Sequence, residues 1–300
     1  MIEMVVGHHK SILNDQSELG LLDLEEAYDY IEFHIKGWET WSIEAIKLLN
    51  DLGIKCEIIS KQEALNNLQY CIDYCDNEVN KKEYSKWKGL LMGADHFASA
   101  LINKTELETR RLFKIPDLSF YNRQHPLYPL SYKNTTSPKK HTIVIASTGA
   151  GKTDYLFRRC KGRVFYTLPF QASINAMFKR VGLDLEANNP NLDIRVLHST
   201  SVIVKRKKEE EVALQSLLGS SIKILTPHQL ATIALGMKGF EAMILDLQGC
   251  DIVLDEVHTY SGISQALVLK IIEVLKSIDC SIHIGTATMP TLLYQRVKKY

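Results

Sequence analysis

Residues 141–153 read HTIVIASTGAGKT, an apolar and β-branched run followed at once by Ser-Thr-Gly-Ala-Gly-Lys-Thr. The run has the composition of a buried strand and the turn has that of a loop opening a helix. Glycine at 149 and 151 lets the backbone curl so that successive N–H groups and the helix N-terminus point at phosphate oxygens, which a β-carbon would obstruct. Lys152 adds a point charge at the β- and γ-phosphates, and the Thr153 hydroxyl can ligate Mg²⁺. Thr148, Gly149, Ala150, Gly151, Lys152 and Thr153 therefore form a candidate phosphate-binding loop, with Ala146 where such loops usually place their first glycine. A plain glycine turn would account for Gly149 and Gly151, but not for a Lys-Thr pair at the helix start.

Outward from this loop the same alternation recurs. RVFYTL, DIRVL, IKILT, CDIVLDE and CSIHIGTAT are strand-like, and amphipathic stretches such as SGISQALVLKIIEVLK lie between most of them. Apolar strands separated by helices predict a parallel sheet covered on both faces, because parallel neighbours need crossover connections. Ligands of such sheets bind at the carboxyl ends of the strands. There CDIVLDEVH supplies the second half of a nucleotide site: Asp255 follows an apolar strand and is placed to hold Mg²⁺, and Glu256 to orient or deprotonate the attacking water. Asp-Glu after a strand is common in surface loops; together with Lys152 it points to a nucleoside triphosphatase.

Upstream, apolar residues from Asp23 to about Asn103 recur at helical spacing, among them Leu24, Ile31, Trp38, Trp41, Leu48 and Leu49, so residues 1–110 are expected to be helical. Ser60 and Glu63 fit a capping box. Trp38, Trp41 and Trp87 read as core residues. Residues 111–140 hold Pro116, Pro126, Pro129 and Pro138, which forbid long helices and mark a linker before a domain at 141–300. His8 and His9 are adjacent, and imidazole is a common transition-metal ligand, but no third ligand stands at a recognisable spacing. Asp95 interrupts an apolar helix, where a buried carboxylate would need a partner such as a metal.

The 300 residues are 45% hydrophobic and 24% charged with a formal net charge of +1, which provides no global field for a polyanion. Six scattered cysteines suit reduced core positions, and no apolar run reaches membrane-spanning length, so a cytoplasmic protein without membrane contact is expected. KRKKEEE at 205–211 reads as a solvated helix, and Arg158, Arg159, Lys161 and Arg163 as a helix C-terminus carrying favourable charge.

The tetrad Asp255-Glu256-Val257-His258 resembles the DExH box of superfamily 2 helicases, and other segments follow in that family's order. Leu168-Pro169-Phe170-Gln171-Ala172-Ser173-Ile174-Asn175 is similar to its Ia motif, Thr226-Pro227-His228-Gln229-Leu230 to its TPxx motif, and Thr286-Ala287-Thr288 to its Ser/Thr-Ala-Thr motif. TPHQL alone would also suit a helix start capped by Thr226 with Pro227 at the first position. The resemblance implies that Pro169, Gln171, Asn175, Thr226 and Pro227 touch a nucleic-acid backbone. It also implies that His258, Thr286, Ala287 and Thr288 couple hydrolysis to movement and that Gln124 reads adenine.

Gly7-His8-His9 and Gly93-Ala94-Asp95-His96-Phe97-Ala98-Ser99, with the wording LPFQASINAMF, resemble the CRISPR-associated helicase-nuclease of type I interference systems. In that family an HD phosphohydrolase domain precedes the motor. The implied architecture is α plus α/β: a partial, all-helical HD-type domain, then one RecA-like domain with a parallel sheet covered by helices. The implied activity is an ATP-dependent DNA helicase with a metal-dependent single-strand nuclease. ATP and Mg²⁺ would occupy the motor, and Mn, Ni, Co or Mg the HD site, held by His8, His9 and Asp95.

The implied partners are single-stranded DNA and the RNA-guided type I surveillance complex. The family's upstream His-Asp ligands and second RecA-like domain have no counterpart here, so the chain is expected to be truncated at both ends, weakly active alone and dependent on the remaining N- and C-terminal portions. An RNA helicase fragment of the same superfamily, or a non-catalytic remnant, are the alternatives.

Overall fold

The computed structural model describes residues 34–78, 85–101, 103–197, 217–237 and 239–299. These group into two compact units that divide between Lys88 and Gly89, not in the proline-containing segment. In the first unit, α1 (Trp38–Asp51) and α2 (Lys61–Glu78) are helical as expected. The capping box forms: Glu63 accepts from the Ser60 amide at 2.8 Å, and the Glu63 amide donates to the Ser60 hydroxyl at 3.2 Å. Asn50 pins the intervening loop by accepting from the Cys56 amide and donating to the Cys56 carbonyl. The tryptophans differ from expectation, since Trp41 and Trp87 are exposed. The Trp41 indole N–H is satisfied locally, by the Lys36 carbonyl at 3.1 Å, and its ring packs edge-on against Trp38.

The second unit begins within α3 (Lys86–Ala100), which is followed by the short α4 (Thr105–Thr109). A β-carbon on Gly89 would meet the Glu241 carbonyl at 2.6 Å and one on Gly93 would strike the Leu218 side chain, so this face of α3 lies close against its own unit. Phe97 and Leu101 pack there with Leu217.

All six predicted strands form: β1 (Thr142–Ile145), β2 (Val164–Thr167), β3 (Ile194–Leu197), β4 (Ile222–Leu225), β5 (Asp251–Asp255) and β6 (Ser281–Thr286). They make one sheet in the order β1-β6-β5-β2-β4-β3, every neighbouring pair parallel. The helices are α5 (Lys152–Arg159), α6 (Gln171–Leu185), α7 (Pro227–Leu235), α8 (Phe240–Leu247), α9 (Gly262–Ser277) and α10 (Thr291–Lys298). Side chains alternate along each strand. Val144, Val164, Tyr166, Val196, Ile222, Ile224 and Val253 enter one core with Leu156 and Phe157 of α5 and Ile174, Val181 and Leu185 of α6. Phe165, Ile252, Leu254, Ile282 and Ile284 alternate with them and are buried too. The result is the helix-covered parallel sheet of a RecA-like α/β domain.

Residues 111–140 contain no long helix, as the prolines require, but they are not a free connector. Two 3₁₀ turns, Ser119–Asn122 and Pro129–Tyr132, pack against α5. Tyr121 is fully buried and stacks on Phe157 at 4.4 Å. Arg158 donates to the carbonyls of Leu130, Ser131 and Lys133, and Arg159 to those of Thr135, Ser137 and Lys139. Arg163 pairs with buried Asp246. Three members of the basic cluster thus serve internal packing, because main-chain carbonyls and a buried carboxylate meet them before solvent does. Residues 205–211 lie outside the described residues.

Candidate active site

The turn after β1 meets α5 at Gly151, whose φ of 85° is left-handed and whose β-carbon would stand 2.7 Å from Tyr128 Cβ. Lys152, buried at the first position of α5, donates from Nζ to the carbonyls of Ala146 (2.9 Å) and Ser147 (3.3 Å) and lies 3.9 Å from Glu256 Oε1. A cavity of about 240 Å³ opens here. Thr148, Gly149, Gly151, Lys152 and Thr153 line one side and Asp255 and Glu256 another, with Tyr128, Asp154 and Arg180 around them. A helix N-terminus, an ammonium, a hydroxyl and a carboxylate face one space, the donor set that triphosphate and Mg²⁺ require. Of the residues expected from sequence at a nucleotide site, Thr148, Gly149, Gly151, Lys152, Thr153, Asp255 and Glu256 line this cavity, and Ala150 and Gln124 are not among its lining.

Asp255 ends β5, and both its oxygens accept protein donors: Oδ1 from the Glu256 amide at 2.9 Å, Oδ2 from the Tyr166 hydroxyl at 2.6 Å. Burial and, secondarily, the neighbouring Glu256 charge raise its pKa, while the Tyr166 hydrogen bond and Lys152 pull the other way. Glu256 has φ 55°, so the chain turns sharply and its half-buried carboxylate points back toward Lys152 on one side and His258 on the other. The Thr286 hydroxyl gives its single hydrogen to the Thr288 carbonyl at 2.6 Å. It must therefore accept at 2.8 Å from His258, which places the His258 proton on Nδ1, 3.2 Å from Glu256 Oε2. Glu256, His258, Thr286 and Thr288 form one continuous polar chain across the ends of β5 and β6.

Residues 130–295, more than half of the chain and spanning both halves of this pocket, match the DEAD/DEAH box helicase family. The chain belongs to that family. It is homologous to the CRISPR-associated nuclease/helicase Cas3 of Methanothermobacter thermautotrophicus, 29% identical over 216 residues, which cover 67% of this chain and 26% of the relative. It also matches a putative CRISPR-associated nuclease/helicase Cas3 of Methanocaldococcus jannaschii, 21% identical over 99% of this chain and 48% of the relative. The crystal structure of T. fusca Cas3 superposes with a TM-score of 0.58 at 16% identity, over 84% of this chain and 36% of that one, a likeness of fold. The chain thus spans between about a quarter and a half of these relatives' length.

Within this helicase domain the remaining candidates separate. Pro169, Gln171 and Asn175 follow β2, and Gln171 and Asn175 are exposed at the start of α6. Thr226 and Pro227 follow the adjacent β4, but both are buried, and Pro227 occupies the first position of α7. The Pro227 ring therefore shapes the helix start, and His228 is the exposed side chain of that turn. Gln124 is exposed and is not among the cavity residues, whereas Tyr128, four residues on and stacked on His125 at 4.2 Å, is. Buried Asp154 binds Arg123 and Arg180, at 3.1 and 2.6 Å. Tyr128, Asp154, Arg180 and Tyr166 escaped the sequence reading; the only signal was an acid placed directly after Lys-Thr.

Asp95 faces solvent on α3, because Gly93 and Phe97 take the packed face; the buried-carboxylate argument for a metal there does not hold. His8 and His9 lie outside the described residues. Among the described residues one trio of metal-ligating side chains clusters, buried Cys160, Asp251 and His283. The amides of Lys161 and Gly162 and the His283 ring already hold Asp251. The described thiols for which pairing is resolved are free, and burial pushes Cys250 up to about 11 and Cys280 up to about 12, as expected of inert core cysteines. No helix among the described residues is long and apolar enough to cross a membrane.

Proposed function

We propose that this chain binds and hydrolyses ATP as the first motor domain of a DNA helicase acting in type I CRISPR interference. The observation that carries it is the pocket in which the Lys152 ammonium, 3.9 Å from Glu256, faces Asp255 across about 240 Å³. The loop amides and Lys152 would hold the phosphates, and Thr153 and Asp255 the Mg²⁺, which when bound neutralises phosphate charge. Glu256 orients or deprotonates the attacking water, and its contact with His258 passes the state of the site to Thr286, the last residue of β6, and to Ala287 and Thr288 just beyond it. Exposed Gln171 and Asn175, with His228 in the first turn of α7, offer polar contacts to a single-stranded DNA backbone.

The homology to Cas3 supports recruitment by an RNA-guided surveillance complex and a metal-dependent nuclease in the complete protein, with His8, His9 and Asp95 as its share of the ligands. The described residues show no ligand group around Asp95, so no step is derived there.

Titration of the chain with a fluorescent ATP analogue in Mg²⁺ tests the central reading. Saturable binding is expected, weakened at least about tenfold in Lys152→Ala. Equal affinity in the variant would refute it.

A further inference from the structure

Tyr166 lies on β2, outside the motif segments quoted above, yet it is fully buried and its hydroxyl reaches the acidic side of the pocket. In register Tyr166 stands opposite Val253, and its phenol spans two residues further along β5 to donate to Asp255 Oδ2 at 2.6 Å. Thr153 lines the same cavity as Asp255. The ring cannot swing away: Phe157 stacks on it at 5.3 Å and Tyr121 on Phe157 at 4.4 Å. A phenylalanine would fill the same space but could tie nothing.

Each carboxylate oxygen has two acceptor sites. With one site on each Asp255 oxygen taken by a main-chain amide and this phenol, the carboxylate plane is fixed while an acceptor site on each oxygen is left over. We propose that Tyr166 is a positioning residue for Mg²⁺: its hydroxyl orients the Asp255 carboxylate at the end of β5 in the cavity that Thr153 also lines, where these two oxygen groups would receive the ion. This deepens the ATP reading above and rests on it.

The test is Tyr166→Phe in the whole chain. Affinity for the fluorescent ATP analogue is measured across Mg²⁺ concentrations and in EDTA, beside the thermal midpoint. The Mg²⁺ concentration for half-maximal binding should rise about tenfold, as when an outer partner of a metal ligand is removed, with EDTA affinity and thermal midpoint unchanged. In an Asp255→Asn background the same substitution should add nothing, because the group it positions has lost its charge. An unmoved Mg²⁺ midpoint, an equal loss with and without Mg²⁺, or a full effect in the Asp255→Asn background would overturn the proposal. If the unmodified chain binds no nucleotide at any Mg²⁺ concentration, the ATP reading fails and takes this with it; binding there with an unmoved Tyr166→Phe midpoint removes this proposal alone.

Discussion

Asp246 shows how much a single side chain can hold in this domain. It is fully buried, accepts from the Gly219 amide at 2.9 Å and pairs with both Arg163 and Lys223. Burial alone would raise its pKa, but Lys223 and Arg163 outweigh it and keep the carboxyl below the ordinary value. Asp251 is held down in the same way by His283 and two amides. Both groups bind protons less readily folded than unfolded, so their stabilisation is complete above about pH 4 and is lost as pH falls through the depressed folded values. Urea midpoints should drop as pH falls below about 4, and the drop should shrink in Asp246→Asn. Asp246→Ala, which strands two buried cations, should cost about 3–5 kcal/mol at pH 7. At this scale the four residues that the sequence singles out, Lys152, Thr153, Asp255 and Glu256, line one cavity, and each adjacent pair is legible because it sits in a contiguous motif at a strand end. Tyr166, Tyr128 and Arg180 were invisible because their roles depend on which strands and turns become neighbours.

The element that organises the site is β6, seated between the strand that opens the phosphate loop and the strand that ends in Asp255. Gly285 makes that seat possible: a β-carbon there would lie 2.7 Å from Asp255 Oδ1 and 2.7 Å from Leu156 Cδ1. Gly285→Ala should therefore destabilise by about 1–3 kcal/mol and weaken Mg²⁺-dependent nucleotide binding, read by urea unfolding and by the same titration. Wild-type values in both would show that Asp255 has room to give. All six strands were legible because each is a short apolar run stopped by polar or turn residues. Their lateral order was not, since it is decided by crossovers rather than by any strand's own composition. The packing of the segment at 111–140 was illegible for a related reason: its prolines exclude long helices, but say nothing of whether irregular chain is packed, and Tyr121 is.

For the whole molecule, every described nucleotide-site residue belongs to the unit that starts at Gly89. A chain starting at Gly89 should fold and bind the ATP analogue within about threefold of the full chain, as an independent domain would. One starting at His141, where the sequence placed the domain boundary, should fail to give a cooperative thermal transition, having lost Tyr121 and the carbonyls that Arg158 and Arg159 engage. Cooperative melting of the shorter chain would return the proline-containing segment to the status of a tether. The guanidinium contacts carry an evolutionary corollary as well. A carbonyl oxygen is common to all twenty amino acids, so residues 130–139 can drift in identity while the path they trace is preserved. Family alignments should show the two arginines changing far more slowly than the stretch they clasp.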